Sequence, residues 1–598
     1  MRPSQVILSV REQTRSRCRQ KSLETQILIR IAPRESQTIS RLRSHQIDPD
    51  EIASQLLERE KISPRPEISI NLVSQLLQRL PHSMQVSIIH FINKEWANVC
   101  ALNTIQFIKR GEATSKPLPL TWVFKYKYDK YGYLLKFKAR ICVRGDLQPP
   151  SEKETYAATL AAKSFRILMA LAARWDLELK QLDAVNAFPN SKLDEEVFVE
   201  LPDGFKQPGV VGRLLRALYG LRRSPLLWQK LLSSILIDLG LECALEEPCL
   251  FINNWLIILF FVDDIIYIYR NSNQLQADEF RQQLSSKFRI TDLGDLKWFL
   301  GIRIVRERAK RRIWLCQDSY IDNIAARFKL DQFEGSPSTP MAVEPLLPNQ
   351  EQADQASIHL YQRKVGSIMY AAVITRPDIA RTAALLSTFL TNPSQDHQAA
   401  ANRCIQYLFG TRRRGILYDG ELPAALAVYT DASFADNIPD RKSSQGYLMK
   451  LCGGPIAWKS GKQDTITTSS TEAELLALTA TSKEAIATIR LFNQIQFDPA
   501  DKLCIWCDNL QTIRLVNSEL PRLRTALRHV DIHCNWARQQ AQQGTILVKH
   551  LQTDEMPADG LTKALPRTKF RRFVGQLNLQ EPPQVPEPDD DHSSSHLS

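Results

Sequence analysis

The period of apolar and polar positions changes several times along the 598-residue chain, and the changes mark out its elements. Trp122-Val123-Phe124-Lys125-Tyr126-Lys127 alternates as a half-buried strand does. Asp129-Lys130-Tyr131-Gly132 reads as a turn and Tyr133–Val143 as the returning strand. Phe165, Leu168 and Leu171 fall at helical spacing and predict a helix over Ser164–Arg174. Gln181–Phe188 reads as a strand and Pro225–Leu239 as a helix. Leu256–Tyr269 reads as two buried strands around a Val-Asp-Asp turn. Gly335, Pro337, Pro340, Pro345 and Pro348 punctuate a linker, followed by a mostly helical stretch over about 358–410. A second α/β pattern starts near Ala425 and runs to about 577. Residues 1–90 are polar and irregular, with a helix near Leu72–Leu80. The tail rich in Pro, Asp and Ser, Glu581–Ser598, has too little apolar content to order itself.

Composition adds a charge argument. The chain carries a net charge of +12, with 77 Lys and Arg against 65 Asp and Glu. Such a balance suggests a polyanionic partner, nucleic acid or an anionic membrane. Residues 1–45 hold ten of the basic residues and three acids, so the excess is concentrated in an N-terminal arm. That arm lacks the apolar core of a secretory signal. It reads as a basic arm or part of a longer polyprotein, with a mitochondrial transit peptide as the other reading. The longest apolar stretch, Trp255–Ile268, contains Asp263 and Asp264, which excludes it as a membrane span. Eleven cysteines without a framework suit a reducing compartment.

The chemistry begins at Phe261-Val262-Asp263-Asp264. Two adjacent carboxylates between apolar strands are costly to bury unless a cation meets them. An isolated Asp-Asp turn reads more readily as a solvated hairpin tip. A third acid, Asp183, lies in a similar apolar context, Gln181-Leu182-Asp183-Ala184-Val185-Asn186-Ala187-Phe188. Three carboxylates on neighbouring strands suit two divalent ions ~3.5–4 Å apart, the arrangement that activates a 3′-hydroxyl and stabilises pyrophosphate as it leaves.

These segments resemble copia-type reverse transcriptases. "LDAVNAF" and "FVDD" resemble that family's first and third polymerase motifs, and Ala217–Trp228, "ALYGLRRSPLLW", its middle motif. Trp122–Gly145 resembles its fingers hairpin, and Ile290–Ile302, "ITDLGDLKWFLGI", the stretch after the catalytic hairpin. The resemblance implies that Asp183, Asp263 and Asp264 hold metal, and that Lys138 and Arg140 clamp the triphosphate. It implies that Phe188 blocks a ribose 2′-hydroxyl, and that Tyr219 and Gly220 line the nucleotide floor. Three residues depart from the family pattern: Phe261 for the commoner tyrosine, Arg223 for glutamine, and Pro189 for leucine.

A second spaced set of acids follows. Asp431 comes after the apolar strand Ala425–Tyr429, and Glu472 and Glu474 sit at the start of a helix. Asp508 ends the strand Leu503–Cys507, and Asp559 lies in "MPADGLTK". Ser469 followed by Glu472 fits a capping box, which makes Glu472 structural and leaves Glu474 as the ligand. The ordered segments "DASFAD", "RKSSQGY", "GGPIAWKSGKQ", "SSTEAEL", "CDN", "RHVDIH" and "ADGLTKAL" resemble the copia-type ribonuclease H domain. The resemblance implies Asp431, Glu474, Asp508 and Asp559 as metal ligands and His529 as an auxiliary residue. Cys504, Cys507, His529 and His533 make a poor zinc set. The gap between the pairs is long, and an odd separation on a strand sends the two thiols to opposite faces.

The expected fold is a multidomain α+β and α/β chain. A right-hand polymerase with fingers and an antiparallel palm sheet leads into a helical connection, then a ribonuclease H-like mixed-sheet domain. The boundaries are an arm at 1–90, fingers and palm at 91–334, linker and thumb or connection at 335–423, the nuclease domain at 424–577 and an acidic tail at 578–598. The expected activity is RNA-directed DNA synthesis with ribonuclease H, using two Mg²⁺ (or Mn²⁺) ions per site. The expected partners are an RNA template, a DNA primer, an RNA–DNA hybrid and deoxynucleoside triphosphates, with a homodimer or other element-encoded proteins beside them. An intracellular location, cytoplasmic or nuclear, with no membrane contact goes with this. Protease, integrase and zinc-knuckle motifs are absent from the sequence, which reads as a fragment, a processed product or a remnant gene. Two rival readings stand beside the enzyme: a remnant that only binds nucleic acid, and a chain in which only the nuclease survives.

Overall fold

The computed structural model describes residues 82–128, 134–150, 152–332, 335–499, 502–518 and 528–583. The helix expected near Leu72–Leu80, the 129–132 turn and most of the tail lie outside them. The described residues fall into two compact units, one of those up to 157 with 186–231, the other of 158–185 with those from 232 onward.

In the first unit the alternating segment forms the expected hairpin, Leu120–Tyr128 against Leu134–Val143. A three-stranded sheet orders Ile105–Lys109, Val210–Leu214 and Phe198–Val199. The buried side chains of Val99, Ile105, Ile141, Val143, Val199 and Leu214 form one core joining the hairpin to this sheet.

The second unit is built on three sheets. The first is antiparallel throughout and runs Ile290–Asp295, Glu178–Ala184, Asp264–Tyr269, Leu256–Phe261, Glu247–Ile252, Glu242–Ala244. The strand expected over Gln181–Phe188 ends at Ala184, because Asn186 takes a left-handed φ of 54° and Phe188–Asn190 winds into a 3₁₀ turn. The third sheet orders Gly454–Lys462, Ser444–Leu451, Ala427–Ser433, Cys504–Cys507 and Leu547–His550, with the last two pairings parallel. Its mixed pattern and the packed helix Ser470–Gln494 are the architecture expected for a nuclease domain.

The middle sheet corrects the expected segmentation. It joins Trp298–Phe299, Ile302–Glu307 and Arg312–Cys316 to Gly415–Asp419 and Leu579–Gln580. One sheet therefore draws strands from the stretches assigned to palm, helical connection and tail, and ordered chain continues past 577. Gly415–Asp419 is buried on both faces, so it shows no two-residue alternation, and a two-residue strand has no period to read. The helices Gln355–Ile374, Ala380–Ser387 and Gln395–Gly410 pack on one another as expected. Asp354 and Ser394 cap two of them, their side-chain oxygens accepting from Ser357 N and His397 N.

Arg166 ties these layers together. It lies on the helix Ala162–Trp175, is buried, and stacks 4.0 Å above the Trp458 ring. Its guanidinium donates to the carbonyls of Ile456, Val373 and Ile374 at 2.8, 2.8 and 2.9 Å. Burial lowers its pKa to about 10. Arg166→Ala would leave three inward carbonyls without their donor, at an expected cost of about 3 kcal/mol. A melting temperature within a degree of wild type would contradict this.

Candidate active sites

The palm-type sheet places the first acids by register. Asp264 is directly opposite Asp183 in the antiparallel pair, so both side chains leave the same face. Asp263 occupies the two-residue turn, and its carbonyl accepts from Ala184 N at 2.8 Å, fastening the turn to the neighbouring strand. Asp264 Oδ1 accepts from Gln181 Nε2 at 3.1 Å. Val262 holds a φ of 58° in this turn, a costly state for a β-branched residue, and such strain gathers at functional turns. All three acids are half-buried.

The nucleotide-contact candidates lie in the first unit. The Phe188 ring is 4.8 Å from that of Tyr219, and the Arg140 guanidinium sits 4.6 Å over the same Tyr219 ring. Lys138 is two residues from Arg140 on the same strand and shares its face. Gly220 has a φ of 93°, and a Cβ there would lie 2.0 Å from the Val143 carbonyl oxygen. Backbone packing against the hairpin therefore explains this glycine without a nucleotide. Arg223 is buried and ion-paired with Asp194, and Pro189 sits at the start of a 3₁₀ turn where no N–H is needed. Two of the three departures from the family pattern thus have a structural reason, an ion pair for Arg223 and a turn position for Pro189.

The third sheet gathers the second set of acids. Asp431 is inside the strand Ala427–Ser433 rather than after it, and is fully buried. Glu474 projects from the first turns of Ser470–Gln494, Asp508 follows Cys504–Cys507, and Asp559 opens the short helix Asp559–Thr562. Ligand atoms of Asp431, Asp508 and Asp559 lie within 4.8 Å of one another, as do those of Glu474, Cys507 and Asp508. Among the described residues these are the closed ligand sets, while the palm acids are neighbours by register without forming such a cage.

Electrostatics supports a cation at this cluster. Glu474 Oε1 accepts from Ala432 N at 3.2 Å, while its buried Oε2 has no hydrogen-bond partner among the described residues. Burial, then the charges of Asp431 and Asp508, push the Glu474 carboxyl up to about 9. Burial chiefly, against the opposing pull of Lys563, pushes Asp431 up to about 7. Four acids with one orphaned oxygen fit a bound divalent cation, since carboxylate oxygens are hard ligands and a buried charge demands a partner.

Glu472 is structural, as its position implies. Its Oε2 accepts from Thr468 N and Thr468 Oγ1, each at 2.7 Å, and its own N donates to the Ser469 Oγ. The reciprocal bond reaches one residue further back than a capping box requires. Cys504 and Cys507 alternate between half-buried and buried positions, so they do not form a pair. His529 lies on the helix Arg528–Gln542, and its side chain is outside the described part of the structure.

Sequence reasoning missed three neighbours of the acids. Lys563 Nζ donates to Asp559 Oδ1 at 2.6 Å, Thr562 Oγ1 donates to Asp431 Oδ2, and Thr553 Oγ1 donates to Asp508 Oδ2 at 3.0 Å. The four-residue spacing from Asp559 to Lys563 was the available signal, since such pairs meet on one helix face.

The antiparallel sheet and the mixed sheet are the architecture of a polymerase palm followed by a ribonuclease H-like domain. A family model described as reverse transcriptase (RNA-dependent DNA polymerase) matches residues 103–343. The chain is 35% identical over 472 residues to the Retrovirus-related Pol polyprotein from transposon TNT 1-94 of Nicotiana tabacum. That match covers 76% of this chain and 35% of the tobacco polyprotein. It is 32% identical over 316 residues to the Putative transposon Ty5-1 protein of Saccharomyces cerevisiae, covering 51% of this chain and all of the yeast protein. A structure of the foamy viral protease-reverse transcriptase dRH in complex with ds DNA aligns over 85% of this chain and 86% of that one, at a TM-score of 0.42 and 15% identity. The chain belongs to the copia-type retrotransposon Pol polyprotein family. It spans about a third of the length of its tobacco and Arabidopsis thaliana relatives. Among the described residues no helix is long and apolar enough to cross a membrane.

Proposed function

We propose that this chain copies an RNA template into DNA from a DNA primer at Asp183, Asp263 and Asp264, and degrades the RNA of the hybrid at Asp431, Glu474, Asp508 and Asp559. The observation that carries the reading is the convergence of the second set: four acids from four distant elements, one of them with an orphaned buried oxygen. Mg²⁺ or Mn²⁺ bound by each set would supply charge neutralisation and nucleophile activation. The residues of the chain do the rest. Lys138 and Arg140 bind the anionic triphosphate and orient it, which is most of what phosphoryl transfer requires. Phe188, braced by Tyr219, excludes a 2′-hydroxyl and so selects deoxynucleotides. A hybrid is held through its phosphates and shape, which requires no sequence readout.

The test is a purified chain given a primed RNA template, deoxynucleoside triphosphates and Mg²⁺ or Mn²⁺. Extension of the primer with shortening of the RNA is the expected result. A folded chain that yields neither product overturns the proposal, and shortening alone restricts it to the nuclease.

A further inference from the structure

We propose that Lys563 is a tethered rival of the metal at the second acidic centre: its ammonium holds Asp431 and Asp559 when no ion is bound, and must withdraw for one to enter. The inference rests on the nuclease reading of that centre. Lys563 Nζ lies 2.6 Å from Asp559 Oδ1 and 3.5 Å from both oxygens of Asp431. Asp431 and Asp559 also belong to the ligand set that closes to within 4.8 Å with Asp508. The lysine therefore reaches the same carboxylates that a divalent ion would use.

Asp431 is fully buried and cannot be hydrated in compensation, so some cation or a proton must meet it. Thr562 donates to the same carboxylate and fixes it in place. The Lys563 backbone is pinned by a 2.9 Å hydrogen bond from its N to the Asp559 carbonyl, but its side chain is 37% exposed. The stem can thus swing the ammonium toward water without disturbing the strand and helix that carry the acids. An ammonium and a divalent ion on one oxygen repel each other, so metal entry and lysine withdrawal are one event. Once withdrawn, the ammonium remains beside the centre, where a phosphate of the hybrid backbone is its natural partner. Lys563 accordingly weakens metal binding in the empty enzyme and favours joint binding of metal and hybrid.

The test uses the full chain in a D183N/D263N/D264N background, which removes the palm carboxylates, and measures Mn²⁺ affinity by the paramagnetic signal of free Mn²⁺ without nucleic acid. Lys563→Met is expected to bind Mn²⁺ about tenfold tighter, the size of effect a single nearby charge has at a half-exposed site. Lys563→Arg, which keeps the charge, is expected to stay close to the parent. A residue with a merely structural role would give the opposite sign, weaker binding on substitution. Unchanged or weaker affinity in Lys563→Met overturns the proposal.

A second measurement needs no substitution at Lys563. Acylation of its amine, followed by mass spectrometry, should quicken when Mg²⁺ is added, and an unchanged rate also overturns the idea. If the Lys563 parent retains no more Mn²⁺ than an Asp431→Asn control, the nuclease reading itself fails. If it retains more, only the role of Lys563 is at issue.

Discussion

Glu474→Gln is expected to end hybrid cleavage, by roughly a thousandfold or more, while leaving primer extension within about twofold of wild type. The glutamine has nearly the same shape and keeps an oxygen for Ala432 N. What it loses is the charge of the buried Oε2, which has no hydrogen-bond partner among the described residues and is the group best placed for a cation. The same substitution should alter how stability depends on pH. In the metal-free protein the Glu474 carboxyl is pushed up to about 9 and that of Asp431 to about 7. A carboxyl raised in the folded state is protonated there and ionised in the unfolded chain. Its stabilising contribution is complete below the ordinary carboxylate pKa and is lost as pH rises through the folded value. The melting temperature of wild type in a chelator should therefore fall between about pH 5 and pH 9. Glu474→Gln should flatten the upper part of that fall, leaving the share of Asp431. Calorimetric scans in parallel across the range would count against this assignment, as would wild-type stability that rises with pH.

Asp263→Asn is expected to give the complementary result: nucleotide incorporation reduced roughly a thousandfold or more, with hybrid cleavage unaffected. Asp263 sits in the strained turn beside Val262, and its backbone is fixed by Ala184 N. Asp264 is expected to matter less, because its carboxylate already accepts from Gln181 Nε2. Single-nucleotide incorporation on a primed template ranks the two variants. Greater damage from Asp264→Asn than from Asp263→Asn would reverse the assigned roles. Equal loss of both activities in either variant would point to misfolding, which circular dichroism detects.

The sequence by itself determined the local elements and supplied the acids proposed here as ligands. The 122–143 hairpin and the Ala162–Trp175 helix follow from periods of two and 3.6, and the strands flanking Asp263 from short unbroken apolar runs, signals that short segments carry within themselves. The separation of Glu472 from Glu474 was equally legible, since a cap is a local contact. Tertiary structure decided which distant pieces meet. Opposing Asp183 to Asp264 is a matter of strand register, and a slip of one residue would turn one of them to the other face. The sheet shared by Arg312–Cys316, Gly415–Asp419 and Leu579–Gln580 joins strands more than a hundred residues apart, and no local period encodes such a pairing. Lys563 shows both sides of the division. Its spacing from Asp559 is written in the chain, whereas its approach to Asp431 exists only because a short helix packs over the third sheet.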